Sequence, residues 1–265
     1  MDFRPLNDVD TVLELEVIPD RWILEPRCAM EDFVTWLAPE IDGRFEISTH
    51  AIKITYGDEE FTADMVIARR AEAGILLPEC PDQGPHRWIP SHPERHAQQV
   101  RARNADWGSA GFSRQLRIVK YLNREWKLRD PQERKPLSSF HITALGLAIL
   151  RQQASHAELT PHFLERAAAL VLQPLPDPAG VGDPLEAQDP YYAAEVLAAA
   201  AEKTKRALTA SPEEAERLLR EVFGDPADRA ALLGPGPVSV AAGGGLVGGL
   251  GGRLVTPVRS HGDRD

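Results

Sequence analysis

The sequence predicts an α+β fold, with a mixed sheet in the N-terminal part and a helical C-terminal domain after it. Residues 8–18 and 44–56 alternate between apolar and polar side chains, as half-buried strands do. Segments beyond residue 111 instead carry apolar side chains at helical spacing. The predicted domains are an N-terminal domain over residues 1–110, a helical domain over 111–225 and a disordered, Gly- and Pro-rich tail over 226–265.

Composition limits the function classes. A formal charge of −10 over 265 residues argues against stable nucleic-acid binding, whereas a small triphosphate can be neutralised locally by a cation and a few lysines. No apolar run approaches the roughly 20 residues that cross a bilayer, and no secretion signal opens the chain. Two cysteines in unrelated contexts, Cys28 and Cys80, fit a reducing compartment. The sequence therefore predicts a cytoplasmic protein without membrane association.

The strand patterns carry three aspartates. Asp8 and Asp10 lie two residues apart in the first strand, so they share one of its faces. A turn over residues 57–60 separates the second strand from the alternating run FTADMVIA, which indicates a hairpin. Asp64 lies in the middle of that run, where strand propensity disfavours a carboxylate.

The remaining elements follow from spacing and capping signals. A Pro- and His-rich connection is expected over residues 76–93 and a long loop over 173–190. One helix has the stripe Phe112, Leu116, Val119, Leu122 and Trp126, with Lys120 beside it, and Ser138 and Ser139 open the apolar helix that follows. Helices are predicted over 29–38, from about 93, over 112–127, from 138, over 191–208 and over 212–223.

The aspartates have two interpretations, a metal site and a chance motif with a structural role in a turn. Mg²⁺, or Mn²⁺ as the alternative, takes hard oxygen ligands, and Asp64 on a strand beside Asp8 and Asp10 completes a two-metal site. An Asp-x-Asp pair is also frequent by chance, and Asn7 with Asp8 fits a turn.

Four segments together resemble the bacterial CD-NTases, relatives of cyclic GMP-AMP synthase and oligoadenylate synthase. They are RPLNDVDTVLEL, FTADMVIA, RQLRIVKYLNREW and KPLSSFHITALGLAIL, and the similarity runs from about Phe3 to Gly224. The resemblance implies that the N-terminal domain is a nucleotidyltransferase (polymerase-beta-like) palm.

The resemblance also implies roles for single residues. Asp8, Asp10 and Asp64 match the carboxylates that bind Mg²⁺ and carry catalysis in that family. Lys120 and Ser139, with Ser138 beside it, match positions that bind the triphosphate, and Phe140 matches an aromatic ring that stacks on a base. The residues alone leave other interpretations open: a solvated lysine, two helix-capping serines and a core phenylalanine.

The function implied is the condensation of nucleoside triphosphates, such as ATP or GTP, into a cyclic di- or trinucleotide. The resemblance also implies that pyrophosphate is released, that the product signals in antiphage defence, and that regulatory proteins are a further class of partner. Linear transfer to RNA or protein, or nucleotide binding by an inactive truncated homologue, are the alternatives. The family places a Gly-Ser motif upstream of the first aspartates, and Met1 lies close before Asp8. We therefore expect the N-terminal part of the palm to be missing through a misassigned start.

A zinc site is a separate hypothesis. His86, His92 and His96 lie near Cys80, with His92 and His96 four residues apart. Helix capping and surface roles are the simpler interpretation of these residues.

Overall fold

The structure is a computed structural model that describes residues 8–56, 61–108, 111–151, 154–224 and 252–255; for 8–10, 61 and 252–255 it describes the backbone alone. Two compact units divide the chain: Met1–Glu94 together with Gly236–Asp265, and Arg95–Pro235. We call them the sheet unit and the helical unit.

The division falls at Glu94, earlier than the boundary predicted at residue 110. The reason is the helix over Pro93–Trp107, whose side chains bond within the helical unit. Gln99 donates from Nε2 to the Pro178 carbonyl at 2.6 Å, and Arg103 donates to the Leu150 carbonyl.

Strands of the sheet unit form one mixed sheet among the described residues. They are β1 (Asp8–Leu15), β2 (Gly43–Ile47), β3 (Ile52–Tyr56), β4 (Phe61–Ala71), β5 (Gly74–Glu79), β6 (Arg87–Ser91) and β7 (Gly252–Val255). The order is β2-β3-β4-β1-β7, with β5 pairing β4 and β6. β1 and β4 run parallel, whereas every other pair in the sheet is antiparallel. The predicted mixed sheet is confirmed.

Two strand predictions were wrong. The single strand expected over 44–56 is a hairpin, because Ser48 and Ala51 close a turn with a backbone hydrogen bond of 2.8 Å. Alternation continues through that turn, so the pattern alone does not reveal it. The connection expected over 76–93 contains the β5–β6 hairpin. Pro90 is tolerated there because β6 lies at the edge, where a missing N–H breaks no second ladder.

The apolar face of the sheet packs against one helix. Two helices follow β1, α1 (Asp20–Leu24) and α2 (Pro26–Leu37), and α2 confirms the helix predicted over 29–38. Met30 and Phe33 of α2 form a buried core with Ile52, Ile54 and Ile67 of the strands. Side chains alternate across a strand, so even-numbered positions of β4 lie on the other face.

The helical unit has a larger core. Its helices are α3 (Pro93–Trp107), α4 (Gly111–Arg129), α5 (Ser139–Ile149), α6 (His156–Leu170), α7 (Pro190–Ala207) and α8 (Pro212–Phe223). The stripe predicted on α4 is confirmed, with Phe112, Val119 and Leu122 fully buried. α6 was not predicted, although Ser155 and Glu158 form a reciprocal capping box at its start.

Within the segment predicted to be a disordered tail, Gly252–Val255 pair with Val12–Leu15 of β1. A strand pairs through backbone N–H and C=O groups, which need no large side chains, so composition alone does not predict this pairing. None of the described helices is long and apolar enough to span a bilayer.

The loop before α7 folds around a buried carboxylate. Asp177 accepts backbone hydrogen bonds from Ala179, Val181 and Gly182 at 3.2, 3.1 and 2.9 Å, and His96 Nε2 lies 2.6 Å from its Oδ1. Burial acts to raise the pKa of this carboxyl, yet the hydrogen bonds from Gly182, His96, Val181 and Ala179 outweigh burial and lower the pKa to about 2. Asp177 is therefore ionised at neutral pH.

Gly146 lets α5 approach α4 closely. A Cβ at this position would run into the Leu116 side chain, whereas a Cβ on Gly111 would meet Trp107 at an ordinary 3.6 Å. We expect Gly146→Ala to lower the free energy of unfolding by about 1–3 kcal/mol through overpacking. Gly111→Ala, the control, should stay within about 1 kcal/mol of the wild type. Urea denaturation measures both, and equal stability of the two variants would contradict the packing account.

Asp177 gives a pH-dependent prediction. A lowered folded-state pKa means that the ionised carboxylate stabilises the fold above its ordinary value of 3.8, and this stabilisation is lost as pH falls towards about 2. Asp177→Asn should cost about 1–3 kcal/mol near neutral pH. The difference from wild type should shrink between pH 4 and pH 2. Denaturation across this range measures it, with exposed Asp106→Asn as the control. A difference independent of pH would contradict the assignment.

Candidate active site

The pairing of β1 with β4 brings the three predicted carboxylate positions together. Asp10 is the Cα partner of Asp64, and Asp8 is the partner of Thr62, two residues earlier on both strands. Because partners in a parallel ladder share a face and positions alternate, positions 8, 10 and 64 lie on one face of the sheet. The neighbouring-strand arrangement expected from the sequence is present.

The register of this pair is held from both sides of the sheet. On the apolar face, Leu13 and Leu15 pack against the core beneath α2. On the face that carries Asp64, Arg70 of β4 bonds to Glu14 of β1 through its guanidinium. A one-residue slip would bury Glu14 and expose the two leucines, so the pattern specifies the register strongly.

Asp64 lies in a row of charged positions. The register runs from Glu46 on β2 to Lys53 on β3, then Asp64 on β4 and Asp10 on β1. Asp64 is half-buried, while Lys53 and Glu46 are exposed. A carboxylate in the middle of a strand is thus placed on the polar face, away from the core that the same strand fills with Ile67.

The donor set at these positions fits a hard divalent cation. Asp8, Asp10 and Asp64 offer carboxylate oxygens alone, the ligands that Mg²⁺ and Mn²⁺ take. Among the described side chains, which exclude those of Asp8 and Asp10, no three His, Cys, Asp or Glu residues converge as a metal cluster.

That finding contradicts the zinc hypothesis, since its four residues are all described. His86 Nδ1 lies 2.8 Å from a Glu25 carboxylate oxygen, and His96 bonds to Asp177. Cys80 is buried in the sheet-unit core, where burial raises the pKa of its thiol to about 11. Cys28 is also a free thiol.

Lys120 lies on a basic strip of α4. Arg117 precedes it by three residues and Arg124 follows it by four, so the three side chains share one side of the helix. Both arginines are exposed and Lys120 is half-buried. The strip concentrates positive charge on a chain whose formal charge is −10.

A buried amide ties this strip to the start of α5. Asn123 lies one turn after Lys120, and its Nδ2 donates to the Leu137 carbonyl at 2.7 Å while its Oδ1 accepts from the Leu137 N–H at 3.0 Å. Leu137 directly precedes Ser138. Asn123 therefore links the C-terminal half of α4, one turn after Lys120, to the residue before the predicted serines. The sequence alone did not single out Asn123.

The two serines have different local roles. Ser138 is the N-cap of α5, since its hydroxyl accepts from the His141 N–H at 3.0 Å. Ser139 is the first helical residue and is exposed. The capping interpretation is thus confirmed for Ser138. The first turn that follows presents backbone N–H groups that the helix itself does not use, a setting that attracts anions.

Phe140 is 38% exposed, so the interpretation of it as a core residue is wrong. Its ring centroid lies 4.8 Å from that of His96, with an interplanar angle of 62°. The next residue, His141, is buried, and burial lowers the pKa of its imidazole, which keeps it neutral. The first turn of α5 therefore directs Phe140 outwards and His141 inwards.

Comparisons with known proteins support the fold. The CD-NTase CdnG of Bradyrhizobium diazoefficiens, solved in complex with GTP, is similar with a TM-score of 0.66 and 17% identity, covering 85% of this chain and 77% of CdnG. CdnC of E. coli MS115-1, solved with ATP, gives a TM-score of 0.62 and 16% identity over 83% of this chain and 78% of CdnC. No protein-family model and no curated protein matches the sequence.

Vibrio cholerae DncV is a third similar structure. As a cyclic AMP-GMP synthase bound to the linear intermediate pppA(3′,5′)pG, it gives a TM-score of 0.63 and 16% identity over 84% of this chain. The match spans 64% of that DncV chain, and 54% of the GTP-bound form. The mixed sheet followed by a helical unit therefore has the nucleotidyltransferase fold of the CD-NTases.

Proposed function

We propose that the chain is a metal-dependent nucleotidyltransferase that condenses nucleoside triphosphates into a cyclic di- or trinucleotide and releases pyrophosphate. The observation that carries the proposal is the register of Asp10 with Asp64 on adjacent parallel strands, two positions after Asp8. This arrangement occurs in a fold shared with chains solved in complex with GTP and ATP.

In the proposed enzyme, Asp8, Asp10 and Asp64 hold the divalent cations. Mg²⁺, when bound, lowers the barrier by favouring the deprotonated ribose hydroxyl and by neutralising charge on the leaving pyrophosphate. The protein keeps the carboxylates at fixed spacing, because strand pairing and the Glu14–Arg70 bond prevent β1 from slipping along β4.

Within the helical unit, the residues proposed to contact the triphosphate lie on α4 and at the start of α5. Lys120, flanked by Arg117 and Arg124, offers a cationic side chain one helical turn before Asn123, which bonds to the backbone of Leu137 at the start of α5. Ser139 and the backbone N–H groups of the first turn add neutral donors. Cations and N–H donors together suit a tetra-anionic ligand better than either alone.

Phe140 offers an exposed aromatic face next to these phosphate contacts. Stacking of a base on such a face contributes about 1–3 kcal/mol and is tolerant of base identity. ATP and GTP are therefore the first substrates to test. A cytoplasmic location and a role in antiphage signalling belong to the same proposal and rest on the resemblance to the CD-NTases.

Incubating the full chain with α-³²P-labelled ATP and GTP in Mg²⁺ tests the proposal. A phosphatase-resistant product with the mass of a cyclic dinucleotide or trinucleotide, together with pyrophosphate, is expected. Linear products by mass spectrometry would point to linear transfer, and nucleotide binding without pyrophosphate would point to a binding protein without turnover. Either result would contradict the proposed cyclisation.

Loss of Asp64 should abolish the reaction with little change in fold. Asp64→Asn keeps the shape of the side chain and removes a charged metal ligand, so we expect the turnover rate to fall by on the order of 100-fold or more. Glu46→Gln is the matched control, since Glu46 lies on the same sheet face but is exposed on β2. Pyrophosphate release measures the rates, and comparable activity of Asp64→Asn and Glu46→Gln would refute the assignment.

Lys120 gives an independent prediction on binding. Lys120→Met keeps the aliphatic stem and removes the charge, so the Kd for ATP should rise about 10-fold. Lys205→Met on α7 removes an equal charge from an exposed position that pairs with Glu165, and its Kd should stay unchanged. Isothermal titration calorimetry measures both values. An equal rise in the two variants would indicate a general charge effect and no contact at Lys120.

A further inference from the structure

We infer that His96 is a positioning residue that holds the Phe140 ring in place for stacking on a nucleobase. The inference rests on the proposed nucleotide binding and extends it to a residue of α3. The geometry points to a three-part support: the loop after α6 fixes Asp177, Asp177 fixes His96, and His96 contacts Phe140.

The first part of the support is rigid. The side chain of Asp177 is only 3% exposed, and its two oxygens accept three backbone N–H groups of its own loop. A buried carboxylate with this many donors has no freedom to turn without leaving hydrogen bonds unmade.

The second part is the link to His96. The Nε2···Oδ1 distance of 2.6 Å is short, and the imidazole is 14% exposed. This bond sets the plane of the imidazole ring, because a planar ring anchored at Nε2 and at Cβ retains little rotational freedom.

The third part is the contact with Phe140. The two ring centroids are 4.8 Å apart and the planes meet at 62°, an edge arrangement that aromatic pairs favour. Phe140 is the second residue of α5 and 38% exposed, so the rest of its surroundings leave part of the ring open to solvent. A ring held in one rotamer loses less entropy when a base stacks on it.

α3 is attached to the helical unit by residues other than His96. Gln99, one turn later, donates to the Pro178 carbonyl at 2.6 Å, and Arg103 donates to the Leu150 carbonyl. A variant of His96 therefore leaves the helix in place. His96→Gln also keeps an amide donor for Asp177 while it removes the ring that touches Phe140.

A double-mutant cycle with the full chain separates positioning from general loosening. The probe is 2-aminopurine riboside triphosphate with Mg²⁺, whose fluorescence falls on stacking. His96→Gln should raise its Kd about 3- to 10-fold and weaken the quenching. In a Phe140→Leu background, His96→Gln should not change the Kd or the quenching further, because the aromatic ring that His96 positions is absent. Gln99→Ala, which loosens the same loop without touching Phe140, should leave the quenching amplitude unchanged.

An equal loss from His96→Gln in both backgrounds, or no loss in either, would overturn the inference. A second measurement stands apart from nucleotide binding: ¹³C NMR of labelled phenylalanine in the nucleotide-free chain should show rotamer averaging of Phe140 in His96→Gln alone. If Phe140 shows rotamer averaging in His96→Gln while the wild type does not bind the probe, the proposed function is rejected and the positioning of the ring by His96 is still supported. An unchanged Phe140 signal would reject the positioning itself.

Discussion

The parallel pairing of β1 with β4 is the constraint on which the candidate site depends. It gives Asp10 and Asp64 a common register and puts Asp8 two positions away on the same face. Each strand makes contacts on both faces of the sheet. The core side contains Leu13, Leu15 and Ile67, and on the polar side Arg70 bonds to Glu14. A shift of one residue would break both arrangements, so stability and site geometry are enforced by the same pairing.

In the helical unit, buried polar groups fix the arrangement of the helices. Asn123 exchanges two hydrogen bonds with the backbone of Leu137, and Asp177 gathers the N–H groups of its own loop. Such groups are costly to bury unless all partners are present, so they fix one arrangement of the helices around the start of α5. The exposed Phe140 and Ser139 are thereby carried on a rigid frame, which suits a binding surface better than a mobile loop does.

Sequence reasoning succeeded where the period of the pattern was strong. The stripe of α4, the strand of Asp8 and Asp10 and the hairpin strand of Asp64 all follow from spacing. It failed where a short turn keeps the alternation unbroken, as between Ile47 and Ile52, and where prolines mask an edge hairpin, as at Pro90. His96 was assigned to a zinc hypothesis from its four-residue spacing to His92. Its partner in the structure, Asp177, lies 81 residues away and could not be found from the sequence, because only tertiary packing brings the two together.

In the proposed enzyme, the carboxylates of β1 and β4 share divalent cations. A crystal structure of the full chain with Mn²⁺ and a non-hydrolysable ATP analogue would locate these cations, because manganese is identified by its anomalous scattering. We expect an anomalous peak at coordination distance from the Asp64 carboxylate and from at least one of Asp8 and Asp10. Manganese bound to the analogue's phosphates alone, with Asp64 turned to another partner, would contradict it.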